Sequence, residues 1–336
     1  MLISRLISVG LSFLFANHAS SSPIHGLTRY GEETINHGAR TTLSSPYFVV
    51  HSDRLSDSWY PPDPSLITGF NVYCLDFLLL SGASDTAQAW ASLTGAQRSS
   101  VKKQYANAGI KLIVSTFGST DQPTTWNTDP TATANTFASW VIKYQLDGID
   151  IDYEDFGAFK AGNGKAENWL IAFTRRLRNR LPAGQYLITH APVAPWFAPN
   201  KWGGGGYLKI HSAVGSLIDW YNVQFYNQGP AEYITCSNLL YTSTSKWPNS
   251  ALFQISGNGV PLSKIVVGKP AAQNDTFSGY MDPKMLAACL TQGQNRGWDG
   301  GVVGWEYPEA NPNWIATVRS QTWPVDKDHR RWTRST

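Results

Sequence analysis

Short apolar runs alternate with segments of helical period along most of this chain, and that rhythm sets the architecture before any single residue does. Apolar runs at Tyr47–His51, Asn71–Leu80, Lys111–Phe117, Leu146–Asp155, Tyr186–Ala191, Trp220–Tyr226, Lys264–Lys269 and Gly301–Trp305 read as strands. Helical patterns at Thr94–Ala108, Asp129–Gln145, Glu167–Leu181, Asp282–Arg296 and Asn313–Arg319 fall between or after them. Asp129-Pro130 and Asp282-Pro283 each supply a capping acid followed by proline in the first helical turn. Arg175, Arg176, Arg178 and Arg180 gather near the end of a third helix, where cations suit the helix dipole.

Eight strands mostly separated by helices predict an α/β chain folded as a single-domain (β/α)8 TIM barrel over residues 43–320. A doubly wound sheet would have fewer strands and a glycine-rich phosphate turn after the first, which the sequence lacks. The segment Trp196–Leu217 follows the fifth strand and carries Trp202, Gly203 to Gly206 and Tyr207, so it reads as a substrate-facing flap. Residues 1–19 read as a signal peptide: Arg5, an apolar run Leu6–Ala16, then small residues at Ala19-Ser20-Ser21. That predicts a secreted, extracellular protein. Residues 20–42 form a Ser/Gly/His-rich lead-in and residues 321–336 a C-terminal tail, basic from Lys327 to Arg334. No apolar run is long enough to span a bilayer, so no membrane partner is expected.

Composition narrows this further. The 336 residues carry a net charge of +3 with only 15 % charged side chains, which leaves no nucleic-acid footprint. Fourteen tryptophans give aromatic surface to spare. Of three cysteines, Cys74 sits in an apolar run and reads as a small buried hydrophobe. Cys236 and Cys289 each lie beside a predicted helix in the last third and are the expected disulfide pair. Asn274-Asp275-Thr276 is a glycosylation sequon. Without a His/Cys cluster or phosphate loop, neither metal nor organic cofactor is expected, and a monomer is the default.

The chemistry concentrates in Asp147-Gly148-Ile149-Asp150-Ile151-Asp152-Tyr153-Glu154-Asp155. In a strand, Asp150, Asp152 and Glu154 share one face, and Ile149, Ile151 and Tyr153 the other. Neighbouring carboxyls off the water push each other's pKa values apart, an arrangement suited to acid–base chemistry. A calcium loop would need a turn with a central glycine, a pattern missing here. Asp147 falls on the opposite parity and reads as scaffold, and Asp155 as a solvated residue past the strand. Gln224, Tyr226 and Asn227 end the sixth strand and Trp305 the eighth; acid, amide, phenol and indole together suit a sugar, ring face on indole and hydroxyls on polar groups. Barrel filler is the alternative reading of Trp305, and Glu306 either contacts substrate or caps a helix. Trp59, Trp126, Trp196 and Trp202 lie in predicted loops as candidate sugar platforms or loop staples.

Asp147, Asp150, Asp152 and Glu154 match D-x-x-D-x-D-x-E in full, so the chain resembles glycoside hydrolase family 18. Gln224-Phe225-Tyr226-Asn227 is similar to the sixth-strand motif of class III, hevamine-like chitinases of plant and fungal type. Gly300-Gly301-Val302-Val303-Gly304-Trp305 is similar to their last strand, and the resemblance in order and spacing covers the chain from about Tyr47 to Arg319. One motif departs: the third strand often carries S-x-G-G, and here Ser115-Thr116-Phe117-Gly118 puts Phe117 where the first glycine stands. The resemblance implies substrate-assisted, retaining hydrolysis of β-1,4 bonds next to N-acetylglucosamine, in chitin or chito-oligosaccharides, an exception to the two-carboxylate scheme. Glu154 would be general acid then base. Asp152 would orient the acetamido group, Asp150 would share a proton with Asp152, and Tyr226 would hydrogen-bond the acetamido oxygen. An endo-β-N-acetylglucosaminidase acting on the chitobiose core of N-glycans fits the same acids. A non-catalytic chitin-binding lectin on the same barrel is a third reading, although such proteins usually lack the acid at Glu154.

Overall fold

A computed structural model describes residues 43–55 and 59–325; the expected signal peptide, the lead-in to residue 42 and the tail beyond 325 lie outside the described residues. The strands are β1 (Tyr47–Ser52), β2 (Val72–Leu79), β3 (Lys111–Gly118), β4 (Gly148–Tyr153), β5 (Leu187–His190), β6 (Trp220–Gln224), β7 (Ile265–Pro270) and β8 (Gly301–Trp305). Each pairs in parallel with its neighbours in sequence, and β1 pairs with both β2 and β8, so the sheet closes. The expected (β/α)8 barrel is therefore present. A two-residue strand, Gly82–Ala83, lies antiparallel on the end of β2.

The helices are α1 (Asp85–Ser92), α2 (Gly95–Asn107), α3 (Pro130–Lys143), α4 (Phe156–Lys160), α5 (Lys165–Arg180), α6 (Gly206–Val214), α7 (Leu252–Gly257), α8 (Pro283–Gln294) and α9 (Pro312–Arg319). Thr94 and Gln97 close a reciprocal capping box on α2, and Asp129 and Asp282 cap α3 and α8 ahead of a proline, as the sequence predicts. Four helices, α1, α4, α6 and α7, escape the periodicity. In α1 the buried face is Thr86, Ala87 and Trp90, too small a set of bulky apolar residues to stand out. The supposed flap contains α6, and its glycines pack rather than flex: a side chain at Gly204 would strike the Glu167 carboxylate at 2.3 Å. Arg178 does not merely face the helix dipole; it ties α5 to the Leu217 carbonyl and, at 2.7 Å, to Asp219.

Alternation along the strands sorts the barrel into two apolar zones. Val49, Val72, Cys74, Ile113, Trp220, Val266 and Val303 point inward and plug the interior. The opposite parity, including Val50, Tyr73, Ile149, Ile151, Tyr153 and Val223, packs outward on the helices. The plug draws on the first halves and middles of the strands, which leaves their C-terminal ends to polar side chains. Cys236 and Cys289 form a disulfide with a sequence separation of 53, a loop whose closure stabilises the fold by about 4 kcal/mol on chain entropy. Past α9, Trp323 packs edge-on to Phe48 and Trp298, so the chain stays in contact with the barrel to the end of the described residues.

Candidate active site

β4 carries the acids. Ile149 and Ile151 are fully buried on the helix side, which forces Asp150 and Asp152 inward and aims Glu154 at the barrel mouth. Gly148 allows β4 to lie this close to β5, because a Cβ there would sit 2.3 Å from the Leu187 carbonyl oxygen. Asp147, below it, pairs with Lys102 and accepts from the Leu112 amide at 2.8 Å, a scaffold role. Asp155 is not solvated: it is fully buried and accepts from Thr125 N and Oγ1 and from Ala158 N, so it caps α4. The sequence signal was the cap itself, an acid placed just before a short helix.

Asp150 sits deepest. Register places it between Ser115 on β3 and Thr189 on β5, and both hydroxyls donate to it, Ser115 at 3.0 Å. Asn222 donates a third bond at 2.9 Å, its own carbonyl held by Trp220 Nε1 at 2.8 Å. Both Asp150 oxygens are thus engaged by hydroxyl and amide donors. Gln224, expected to touch sugar, lines the pocket, and its amide bridges Asp152 at 2.8 Å and Glu154 at 3.2 Å and donates to the Ala191 carbonyl at 2.9 Å. Burial pushes Asp152 well above the ordinary carboxyl range, with Glu154 and then Asp150 adding to the rise and Gln224 opposing it. Glu154 is raised too, by burial against the Gln224 bond. Two carboxyls joined through one amide and both reluctant to ionise hold a proton near neutral pH.

Tyr226 follows on the same parity as Asn222 and Gln224, and burial raises its phenol well above its usual range, helped by Asp152 and Glu154. Lys269 fixes its backbone: its buried Nζ donates to the Phe225, Tyr233 and Gly279 carbonyls at 2.8, 2.6 and 2.8 Å. Gly279 adopts φ +92° against Tyr226, and a Cβ there would lie 2.6 Å from the Tyr226 Cα. Asn227 does not face the pocket's acids; its carbonyl oxygen accepts from Thr276 Oγ1 and Phe277 N at 2.7 and 2.8 Å and shapes that loop. His51, Asp152, Ala191, Asn222, Gln224, Tyr226, Gly268, Val303 and Trp305 line one pocket. Asp152, Gln224, Tyr226 and Trp305 are thereby brought together, with Glu154 joined through Gln224. Asn222, not singled out from the sequence, carries one signal that could have found it, its two-residue spacing from Gln224. Ser115, Thr189 and His51 were not, because only register brings them in.

Glu306, beside Trp305, neither caps a helix nor lines the pocket: Arg54 Nε donates to it at 3.0 Å, and burial with Asp53 pushes its carboxyl up to about 9. Phe117 adopts φ +72°, a left-handed conformation strained for a bulky residue. It is fully buried among Phe137, Trp169 and Phe173, so the departure from S-x-G-G alters the helix side of β3, not the pocket. Trp196 is buried against Phe159 at 4.1 Å and cannot be a sugar platform. Trp202 lies parallel to Trp247 and donates to the Pro195 carbonyl at 2.7 Å; Trp126 is 53 % exposed.

The sequence profile of glycosyl hydrolases family 18 matches residues 52–306. A class III chitinase of Arthroderma benhamiae is 27 % identical over 186 residues, 52 % of this chain and 49 % of that protein. A basic endochitinase of Nicotiana tabacum is 27 % identical over 48 % of this chain and 46 % of that protein, so the chain spans about half the length of these curated relatives. A solved family 18 chitinase of Pseudoalteromonas aurantia superposes with a TM-score of 0.64 at 26 % identity, covering 82 % of this chain and 99 % of that one. A fungal endo-β-N-acetylglucosaminidase shares the fold at 21 % identity, TM-score 0.56, over 78 % of this chain and 90 % of its own.

Proposed function

The chain belongs to glycosyl hydrolases family 18, and from that premise we propose that it is a secreted chitinase cleaving β-1,4 bonds next to N-acetylglucosamine with retention. The observation that carries the reading is the Gln224 bridge between Asp152 and Glu154 at the edge of a pocket lined by Tyr226 and Trp305. Glu154, kept protonated by burial, gives its proton to the glycosidic oxygen as the bond from that oxygen to the anomeric carbon breaks. The sugar's own acetamido oxygen bonds to the anomeric carbon, giving an oxazolinium ion. Asp152, once ionised, faces the developing positive charge, and Tyr226 donates a hydrogen bond to the acetamido oxygen. Water then attacks the same carbon, Glu154 takes its proton, and the acetamido group is released.

Asp152 is raised by burial first, with Glu154 and then Asp150 adding to the rise, which favours a bound proton on Asp152 in the resting enzyme. Trp305 offers its indole as the floor of the sugar site, and Gln224 and Asn227 serve as positioning groups. Export is supported by the disulfide, which belongs to an oxidising compartment, and by the apolar run after Arg5. The working unit is proposed to be a monomer. Wild-type protein should shorten chitin hexamer and leave a high-mannose glycoprotein intact. Release of the glycan with an untouched hexamer would transfer the assignment to an endo-β-N-acetylglucosaminidase, and binding without turnover of either to a lectin.

A further inference from the structure

His51 closes the pocket on the β1 side, with Asp152 and Trp305 among the other lining residues, and the reaction above leaves it without a task. Its ring centroid lies 6.0 Å from that of Trp305. Its Nδ1 is 3.1 Å from Asp76 Oδ1 and 3.3 Å from Asp76 Oδ2. Both side chains are cut off from water, with His51 5 % and Asp76 0 % exposed. Neither residue belongs to the acidic motif; they meet because β1 and β2 run side by side, His51 in register with Cys74.

A buried imidazole beside a buried carboxyl is either an ion pair or a neutral pair, and the surroundings decide which. The groups facing His51 are Asp76 on β2, Asp150 on β4 and Asp53 just past the end of β1. The neighbouring Cys74 thiol is held uncharged by burial. Burial pulls the imidazole towards neutrality, but the carboxyls outweigh it and His51 ends above its ordinary range. Burial lifts Asp76 to about 6, against the pull of His51. Four carboxyls therefore converge on this end of the barrel: Asp76, Asp150, Asp152 and Glu154. Asp150 accepts from neutral donors, and Asp152 is raised by burial first and then by Glu154, Asp150 and Asp76. Among the residues lining the pocket, His51 is the one whose side chain becomes a cation.

We propose that His51, held by Asp76, is a positioning residue that presents an imidazolium to the carboxyl cluster and so keeps Asp152 able to ionise when the acetamido group needs it. It touches no reacting atom and acts through Asp152. The inference rests on the proposed chitinase reaction, yet the charge on His51 is measurable without turnover.

Nitrogen-15 NMR of histidine-labelled whole protein should find the His51 imidazole still cationic above pH ~6.5, the ordinary value, and Asp76→Asn should move its titration to lower pH. An imidazole already neutral at about pH 5 overturns the proposal whatever the enzyme's activity. In the rate assay, His51→Gln keeps a polar side chain but removes the charge. Its acid limb of kcat/KM on chito-oligosaccharide should move up by about one pH unit, the low end for a neighbouring opposite charge, with KM changed less than kcat. A loss of rate at every pH with the limb unmoved assigns His51 a packing role and refutes the inference. If wild type leaves chito-oligosaccharides intact, the chitinase reading fails, and the NMR titration alone decides the charge of His51.

Discussion

Replacing Gln224 by Leu removes one amide that serves three acceptors, and each loss has a separate readout. The amide donates to Asp152 at 2.8 Å and to Glu154 at 3.2 Å, and both bonds favour the ionised carboxyls. A hydrogen bond to a charged group contributes about 1.5–3 kcal/mol. Shared between two acids, at about 1.4 kcal/mol per pKa unit, its removal raises each by roughly one unit. The sign is the same for both: Asp152 needs a higher pH to ionise and Glu154 keeps its proton to a higher pH. The whole bell of kcat/KM against pH should therefore slide about one unit towards alkali, with its maximum lowered by the loss of alignment. The third acceptor, the Ala191 carbonyl, is left buried and unpaired, which costs about 1–3 kcal/mol. For a chain of this size that lowers the melting temperature by about 3 °C. The assay is kcat/KM on a chromogenic chito-oligosaccharide across the pH range, with a thermal melt alongside. A lower bell with both limbs in their wild-type places would refute the reasoning, because the amide would then position substrate without tuning the acids.

Two further substitutions probe the supports of the site. Asp152 is raised in the folded protein, so the cost of ionising it is absent below its unfolded pKa of about 3.9 and grows as pH rises towards the folded value. Asp152→Asn should therefore match wild-type stability in acid and exceed it at neutral pH in denaturant unfolding, while losing hydrolysis; lower stability at neutral pH would contradict the raised pKa. Lys269→Met strips three buried carbonyls of their donor on either side of Tyr226. It should cut kcat by about tenfold, roughly 1.4 kcal/mol, with a smaller change in KM; an unchanged kcat would mean that Tyr226 holds its place unaided.

The barrel and its acidic strand were legible because period-two alternation is strict from Ile149 to Glu154, with isoleucines facing the helices and acids facing the pocket. The same alternation from Trp220 to Tyr226 aligns Asn222, Gln224 and Tyr226, although sequence alone does not show that the Gln224 amide also bonds the acids. Contacts across strands were not legible. Ser115 and Thr189 reach Asp150 only through register, and His51 reaches Asp76 only because β1 and β2 are adjacent. Asn227 lies on the turn after β6 at φ +58°, and its side-chain amide oxygen accepts from Thr276 Oγ1 and Phe277 N. The packing of the glycine run at 203–206 was not legible because sequence does not display the Gly162 backbone and the Glu167 carboxylate set against it.

The central claim is that Glu154 carries the proton while the substrate supplies the nucleophile. Glu154→Gln keeps an amide that Gln224 can still approach, so the fold and the pocket should persist. Calorimetric titration with chitin hexamer, run beside a hydrolysis assay of the same sample, tests the claim directly. The account predicts wild-type binding with hydrolysis reduced by at least about a hundredfold, the scale of general acid–base catalysis. Wild-type turnover in the Glu154→Gln protein would contradict it.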